Sequence, residues 1–182
     1  MKIFYVTAEF ELSEKPAWLD AFRATYDDPY PYHITLKQGT YFEENCLGEI
    51  EEIVKKVATK TPPVQIILNE LRIHKTPKGH VIMIWAQPNV SLVVLQKELR
   101  ERLSPFGEVI EPHYKEYETK FEPHITIARH LTDEQLEEAR TDIGSNTSCS
   151  ADITSITLKT NPITTTTTHV HPDYTITFSL MV

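Results

Sequence analysis

Two stretches decide the reading of this chain: Tyr30-Pro31-Tyr32-His33-Ile34-Thr35-Leu36 and Glu122-Pro123-His124-Ile125-Thr126-Ile127-Ala128. Each holds a His-Ile-Thr triplet in an apolar, β-branched setting that favours a strand. Alternate side chains of a strand point to opposite faces. Each triplet therefore turns a histidine and a threonine hydroxyl to one face and buries its isoleucine on the other. His124 follows His33 by 91 residues (124 − 33), half of the 182-residue chain. Two such triplets facing each other would set two imidazoles and two hydroxyls around one small anion. That is the apparatus needed to move protons at a phosphodiester.

Outward from the triplets, the order of elements repeats. Residues 2–10 and 31–38 read as strands, with a short helix over 17–23 between them, introduced by Pro16. A second helix starts at Asn45, with Leu47, Ile50, Ile53, Val54 and Val57 at helical spacing, and Thr61-Pro62-Pro63 stops it. A strand opens at Val64 and runs toward Ile73, and Pro77-Lys78-Gly79 turns into an apolar strand over 81–87. A helix from about Ser91 follows, with Leu92, Leu95, Leu99 and Leu103 on one face, ended by Ser104-Pro105-Phe106-Gly107. Then come a polar, Tyr-rich connection, a strand over 121–129, and a helix opened by a capping box from Thr132 to Gln135, with Gly144 placed to end it. Strands over 152–159 and 174–181 close the chain, and the run Thr164 to Thr168 reads as a β edge or hairpin segment. The expected fold is α+β: one domain over 1–182, made of two similar lobes. Each lobe is a mainly antiparallel sheet with helices on its outer face; the boundary in sequence lies near 75–80, and the site lies in the cleft between lobes.

Composition bounds the function. With 40% hydrophobic residues the chain can fill a proper core. Its N-terminus reads directly as a strand rather than a signal peptide, and no apolar run is long enough to span a membrane. Cys46 and Cys149 lie far apart and form no metal-binding or redox pair, so two free thiols in the cytoplasm are expected. The net charge of −8 argues against a clamp for long nucleic acid, which needs a basic stripe. A nucleotide or a short oligonucleotide end, held by a local basic patch, fits this balance; no long duplex and no membrane partner is expected, and the protein is expected to be a monomer.

Histidine titrates near pH 6.5, so a pair can hold one neutral and one protonated ring near neutrality. One ring can take a proton from water while the other gives one to a departing ribose oxygen. A threonine two residues on shares the histidine's face and can donate to a phosphoryl oxygen where charge grows.

The pair His33-Ile34-Thr35-Leu36 and His124-Ile125-Thr126-Ile127, in matching halves, resembles the hallmark of the two-histidine phosphoesterase superfamily. The run from Phe121 to Arg129 is similar to the second motif of its LigT-like members, which are 2′,3′-cyclic phosphodiesterases or 2′-5′ RNA ligases. The resemblance implies a bilobal, pseudo-symmetric fold and a metal-independent reaction with no cofactor, opening a cyclic phosphate or cleaving a phosphodiester of a small nucleotide or RNA end. It implies His33 as acid and His124 as base, with Thr35 and Thr126 beside them. It also implies Arg129 as a phosphate contact, although the odd offset from His124 puts Arg129 on the opposite strand face unless the strand bulges there.

Other residues are candidates with plain alternatives. Lys37 lies four residues beyond His33 and could neutralise a phosphate, or be a surface lysine. Tyr32, Tyr117 and Phe121, with Tyr41 and Tyr114, could stack on a nucleobase, though for each one core packing is the better reading. His169-Val170-His171 reads as exposed strand residues rather than a metal site. A non-catalytic nucleotide-binding module on the same fold is the alternative function, and a metallohydrolase is a third, weakened by the absence of carboxylates from both triplets.

Overall fold

A computed structural model describes residues 1–27, 30–163 and 172–181. Strand β1 (Lys2–Phe10) alternates strictly: Phe4, Val6, Ala8 and Phe10 are buried, while Ile3, Tyr5, Thr7 and Glu9 face a cleft. Helix α1 (Leu19–Tyr26) follows, then β2 (Tyr32–Phe42) with the first triplet. A short 3-10 turn leads into α2 (Leu47–Ala58), which buries Ile50, Val54, Val57 and Ala58. Strands β3 (Val64–Thr76) and β4 (Gly79–Ala86) form a hairpin. Helix α3 (Val90–Leu103) starts where the Asn89 side chain accepts from Leu92 N at 3.0 Å, and it buries the four leucines anticipated from their spacing. Helix α4 (Pro112–Lys120) and β5 (His124–Leu131), with the second triplet, come next. Helix α5 (Asp133–Asp142) opens on the Thr132–Gln135 capping box, and β6 (Cys149–Ile153), β7 (Ser155–Pro162) and β8 (Tyr174–Ser179) complete the described elements.

The strands form two four-stranded antiparallel sheets, ordered β2-β1-β7-β8 and β5-β4-β3-β6. Helices α2 and α3 pack on the first sheet, α1 and α5 on the second, and the sheets meet along β2 and β5. The α+β, two-lobed expectation holds, and β4 to β7 repeat the order β1 to β3 in outline. The lobes, however, are not the two halves of the sequence. The turn at 77–78 joins β3 and β4 within one sheet, so the boundary near 75–80 divides the repeat and not the lobes. The first half hands β3 to the second sheet, and the second half hands β7 and β8 to the first. Each half also hands over its first helix, since α1 packs on β5 and α3 on β2.

Three local expectations change as well. The strand read over 152–159 is two strands in two sheets, separated by Thr154. The burial phase reverses at Thr154: Cys149, Ala151 and Ile153 are buried in β6, but Ile156, Leu158 and Thr160 in β7. The Tyr-rich connection contains α4, whose buried residue is Glu118; hydrophobic spacing is silent about a helix that buries a charge. Pro112 in its first turn and the Glu116–Lys120 pair at 2.7 Å support it locally. Finally, α5 ends at Asp142, and Gly144 does not adopt positive φ. Gly144 is small for another reason: a Cβ there would lie 2.4 Å from Cδ1 of Trp18. The run Thr164 to Thr168 lies outside the described residues.

Gly107 places α4. A Cβ at Gly107 would lie 1.8 Å from the carbonyl oxygen of Tyr41. This close approach lets Tyr41 N donate to Glu108 O and Ile110 N to Gly39 O, both at 2.9 Å, so the segment before α4 is stitched to β2. Among the described residues no helix is long and apolar enough to cross a membrane, and Cys46 and Cys149 are free thiols.

Gly144→Ala should displace Trp18 and its 2.8 Å bond to Asn146 O, at a cost of about 1–3 kcal/mol in urea unfolding. Gly48→Ala, in α2 with open space around the new methyl, should instead stabilise by about 0.5–1 kcal/mol.

Candidate active site

The two triplets lie on adjoining strands of different sheets. Cross-strand register sets Glu9 opposite His33 and Thr7 opposite Thr35. In the second sheet it sets Trp85 opposite His124 and Met83 opposite Thr126. All four triplet side chains are half-buried, and the isoleucines between them are buried.

Each imidazole is held by the same bond. Nδ1 of His33 lies 3.0 Å from the carbonyl oxygen of Pro31, and Nδ1 of His124 lies 3.0 Å from that of Glu122. A carbonyl only accepts, so Nδ1 carries the hydrogen in both rings. Nε2 is then the nitrogen that gains or loses a proton.

Bulges decide what joins the histidines. In β2 the register shifts after Thr35, and consecutive Leu36 and Lys37 are both buried. In β5 it shifts after Thr126, and consecutive Ile127 and Ala128 are both buried. The extra residue reverses the alternation. Gln38 and Arg129, each five residues beyond its histidine, therefore return to the triplets' face. Arg129 thus stands on the cleft wall, its odd offset resolved by the bulge, with Nε donating to Asp27 at 2.9 Å. The same irregularity removes Lys37. Its side chain is 3% exposed, and the ammonium points away from the cleft to Glu118 and Thr40, at 2.8 Å each.

The cleft has a volume of about 380 Å³, and its wall includes His33, Thr35, Gln38, Arg129, Glu9 and Lys159. His124 and Thr126 are not on that wall, but His124 is near enough for the charges of His33 and Arg129 to depress its pKa. The two rings have unlike surroundings. Lys159, ion-paired to Glu9, and Arg129 flank His33. Burial lowers the His33 pKa below 6.5, Arg129 and Lys159 lower it further, and the Pro31 carbonyl and Glu9 oppose them. His124 sits against the Trp85 ring (centroids 5.0 Å apart) and the edge of Tyr117 (5.4 Å). Burial there pushes its pKa down to about 4, and His74 and His33 add to the shift.

The aromatic candidates divide. Tyr32 is buried, bonds Asp20 at 2.9 Å, and carries the Arg23 guanidinium 4.1 Å above its ring. Phe121 is part of the core. Neither offers a face to a base. The Tyr117 hydroxyl lies 2.5 Å from Nδ1 of His124, so Tyr117 touches a triplet histidine rather than standing open as a shelf. Tyr114 lines the cleft. His169 and His171 lie outside the described residues, and among the described residues no three His, Cys, Asp or Glu side chains are grouped as a metal would need.

Sequence reasoning missed Glu9, Lys159 and Gln38. Glu9 and Lys159 reach the site only through register in the first sheet, which no local pattern encodes. Gln38 had a signal: it follows His33 at the spacing by which Arg129 follows His124.

A model of the 2′-5′ RNA ligase superfamily matches residues 12–161. A protein of Oceanobacillus iheyensis, provisionally named a phosphoesterase, is 29% identical over 123 residues, 65% of this chain and 66% of that protein. One of Geobacillus kaustophilus, named in the same way, is 29% identical over 115 residues, 62% of this chain and 61% of that protein. The chain thus spans just under two thirds of the length of these relatives. Among solved structures, Escherichia coli LigT complexed with NADP+ has a TM-score of 0.58 at 17% identity, covering 100% of this chain and 98% of that one. Kluyveromyces marxianus Usb1 with uridine monophosphate has a TM-score of 0.56 at 11% identity, covering 98% of each. At these identities the likeness is one of fold. The family match takes in both His-Ile-Thr triplets and most of the chain, and the protein belongs to the 2′-5′ RNA ligase superfamily of two-histidine phosphoesterases.

Proposed function

We propose that this chain hydrolyses a cyclic phosphate, or a phosphodiester, of a small nucleotide or RNA end, without a metal ion. The observation that carries the reading is the shared clamp on both imidazoles. Each gives Nδ1–H to the carbonyl two residues before it and keeps Nε2 for proton transfer. The two rings also differ in the sense the reaction needs. His124, among Trp85 and Tyr117, is held neutral and is the base; His33, where the Glu9 carboxylate favours the imidazolium, is the acid. Water attacks phosphorus and gives its proton to Nε2 of His124. The bond from phosphorus to one ribose oxygen breaks, and that oxygen takes the proton from Nε2 of His33. Thr35 and Thr126 donate to the non-bridging oxygens, and Arg129 balances the growing charge. LigT with NADP+ and Usb1 with uridine monophosphate make a nucleotide a reasonable occupant for the same fold.

A panel of 2′,3′-cyclic nucleotides, short RNAs with cyclic-phosphate ends and 2′-5′ oligonucleotides tests this. Wild type should turn over at least one class, in EDTA as well as without it. His33→Ala and His124→Ala should each lower kcat by about 10²–10⁴-fold. Binding without turnover across the whole panel would instead mark a nucleotide-binding module.

The pH dependence has a definite sign. The base must be neutral, so activity rises as pH passes above about 4, where His124 loses its proton. The acid must be protonated, so activity falls as pH passes the His33 pKa, which burial holds below 6.5. The falling limb of the kcat/KM profile should therefore lie below pH 6.5, on the acid side of a free imidazole. A bound phosphodiester anion favours both imidazolium forms, so the kcat profile should sit at higher pH than the kcat/KM profile.

A further inference from the structure

Helix α4 carries two consecutive residues that reach opposite motifs. The Tyr117 hydroxyl lies 2.5 Å from Nδ1 of His124, against 3.2 Å from Nε2, and donates to the Glu122 carbonyl at 3.2 Å. That is the same carbonyl that receives Nδ1–H, so hydroxyl, ring and carbonyl form one closed cluster. With its own hydrogen directed to the carbonyl, the Tyr117 oxygen is free to accept from Nδ1–H. Glu118, the next residue, is buried and faces the other lobe. One of its oxygens accepts from Lys37 Nζ and from the backbone N–H of Gln38, each at 2.8 Å. These are the two residues that follow directly on the point, between Leu36 and Lys37, where β2 reverses its alternation. The backbone carbonyl of Glu118 is itself fixed by Gln96 at 3.1 Å and Arg100 at 2.9 Å, both from α3.

The second half has α4 between β4 and β5 in addition to α3, whereas the first half has only α1 between β1 and β2. The feature is thus specific to one side of the repeat, and its two contacts fall one on each motif. We propose that α4 yokes the two motifs: Tyr117 is a positioning residue for the His124 ring, and Glu118 is a positioning residue for the β2 bulge that turns Gln38 into the cleft and Lys37 out of it. β2 is an edge strand, and an N–H turned to its open side has no ladder to satisfy it. Here a carboxylate takes it, and the same carboxylate holds the lysine that would otherwise compete for the cleft. The proposal rests on the phosphoesterase reading for its kinetic consequence, but its geometric content does not.

Two measurements separate the cases. The first is a 15N NMR titration of His33 and His124 in the full chain without substrate. Tyr117→Phe should lower the His124 titration midpoint, because the oxygen that accepts from its imidazolium is gone, and should leave His33 unmoved. A His124 midpoint that stays put or rises overturns the Tyr117 half, whether or not any substrate has been found. The second is kinetics on the best substrate of the panel. Tyr117→Phe should lower kcat about tenfold or more, with KM changed less than about twofold. A raised KM with kcat intact would make Tyr117 a substrate contact and overturn its positioning role.

For Glu118 the informative variant is the double change Lys37→Met/Glu118→Met. A buried ion pair can often be replaced by apolar side chains of similar volume without loss of stability. If Glu118 serves only as a counter-ion, the double variant should recover both melting temperature and kcat relative to Glu118→Met alone. On the present reading it recovers the melting temperature and not kcat, while Glu118→Gln, which retains an acceptor for Gln38 N–H, keeps more activity than the double variant. Recovery of kcat in the double variant overturns the Glu118 half. Should the double variant fail to fold, backbone amide shifts of Gln38 in Glu118→Gln decide instead: unchanged shifts in an unchanged fold support the retained bond, and a return of Lys37 to the cleft face opposes it. Loss of all wild-type turnover would sink the phosphoesterase reading and leave the NMR outcome standing on its own.

Discussion

The bond from each imidazole Nδ1 to the carbonyl two residues upstream is the interaction on which the site depends. It is a local bond, formed within three residues, and it occurs at both triplets. Without it each ring would rotate about its side-chain torsions and either nitrogen could carry the hydrogen. With it, tautomer and orientation are set before any substrate arrives, which is the condition for proton transfer at a fixed point in space. The residue before each clamp is not arbitrary. Pro31 and Pro123 hold the chain extended on entry to the strand, although Pro31 is itself the acceptor in the first motif and Pro123 lies one residue past the acceptor in the second.

The repeat supplies symmetric rings and then makes their surroundings different. Cross-strand from His33 stands Glu9; at the matching place beside His124 stands Trp85. One strand further in, Lys159 answers to His74, and these are the neighbours whose charges act on His33 and His124 respectively. Gln38 and Arg129 form the third such pair, on the two bulges. One half of the site is therefore ionic and the other aromatic, with Arg129 carried on the aromatic half's strand. Two identical imidazoles would exchange roles freely. These two do not meet that condition: burial against Trp85 and Tyr117 disfavours the charged form of His124, whereas beside His33 the Glu9 carboxylate opposes the effect of burial.

Much of this was legible in the chain. The triplets, their face, the leucine spacing of α3 and the capping box of α5 follow from short-range pattern, where period and cap chemistry are explicit. What escaped has a common physical cause. Helix α4 buries a carboxylate, Lys37 buries an ammonium, and each is stable there only because the other is 2.8 Å away, 81 residues along the chain. Reading by hydrophobicity places such residues at the surface, since neither charge alone belongs inside. The bulges escaped for a related reason: an extra residue in a strand leaves no mark in composition, yet it moved Lys37 out of the site and Arg129 into it. Tyr32 and Phe121 show the limit from the other side, as aromatic residues near a motif whose burial was decided by packing.

The exchange of elements between halves fixes the distance across the cleft. Were each half a lobe, the two histidines would sit on bodies joined by one connection, free to hinge. Instead β3 and α1 cross one way and β7 and α3 the other, so each sheet contains strands from both halves. Between β6 of one sheet and β7 of the other only Thr154 intervenes, and its carbonyl receives Leu180 N at 2.8 Å just past the end of β8. Opening the cleft by moving whole sheets would therefore strain several short covalent links at once and part β2 from β5. Access to the site must come from smaller parts. Among the residues that bound the cleft beyond the strands, Ile110, Glu111 and Tyr114 belong to the segment that leads into α4 and to α4 itself. On the function proposed, the outer portion of a substrate would meet α4 and the segment leading into it, while the strands beneath supply the fixed frame.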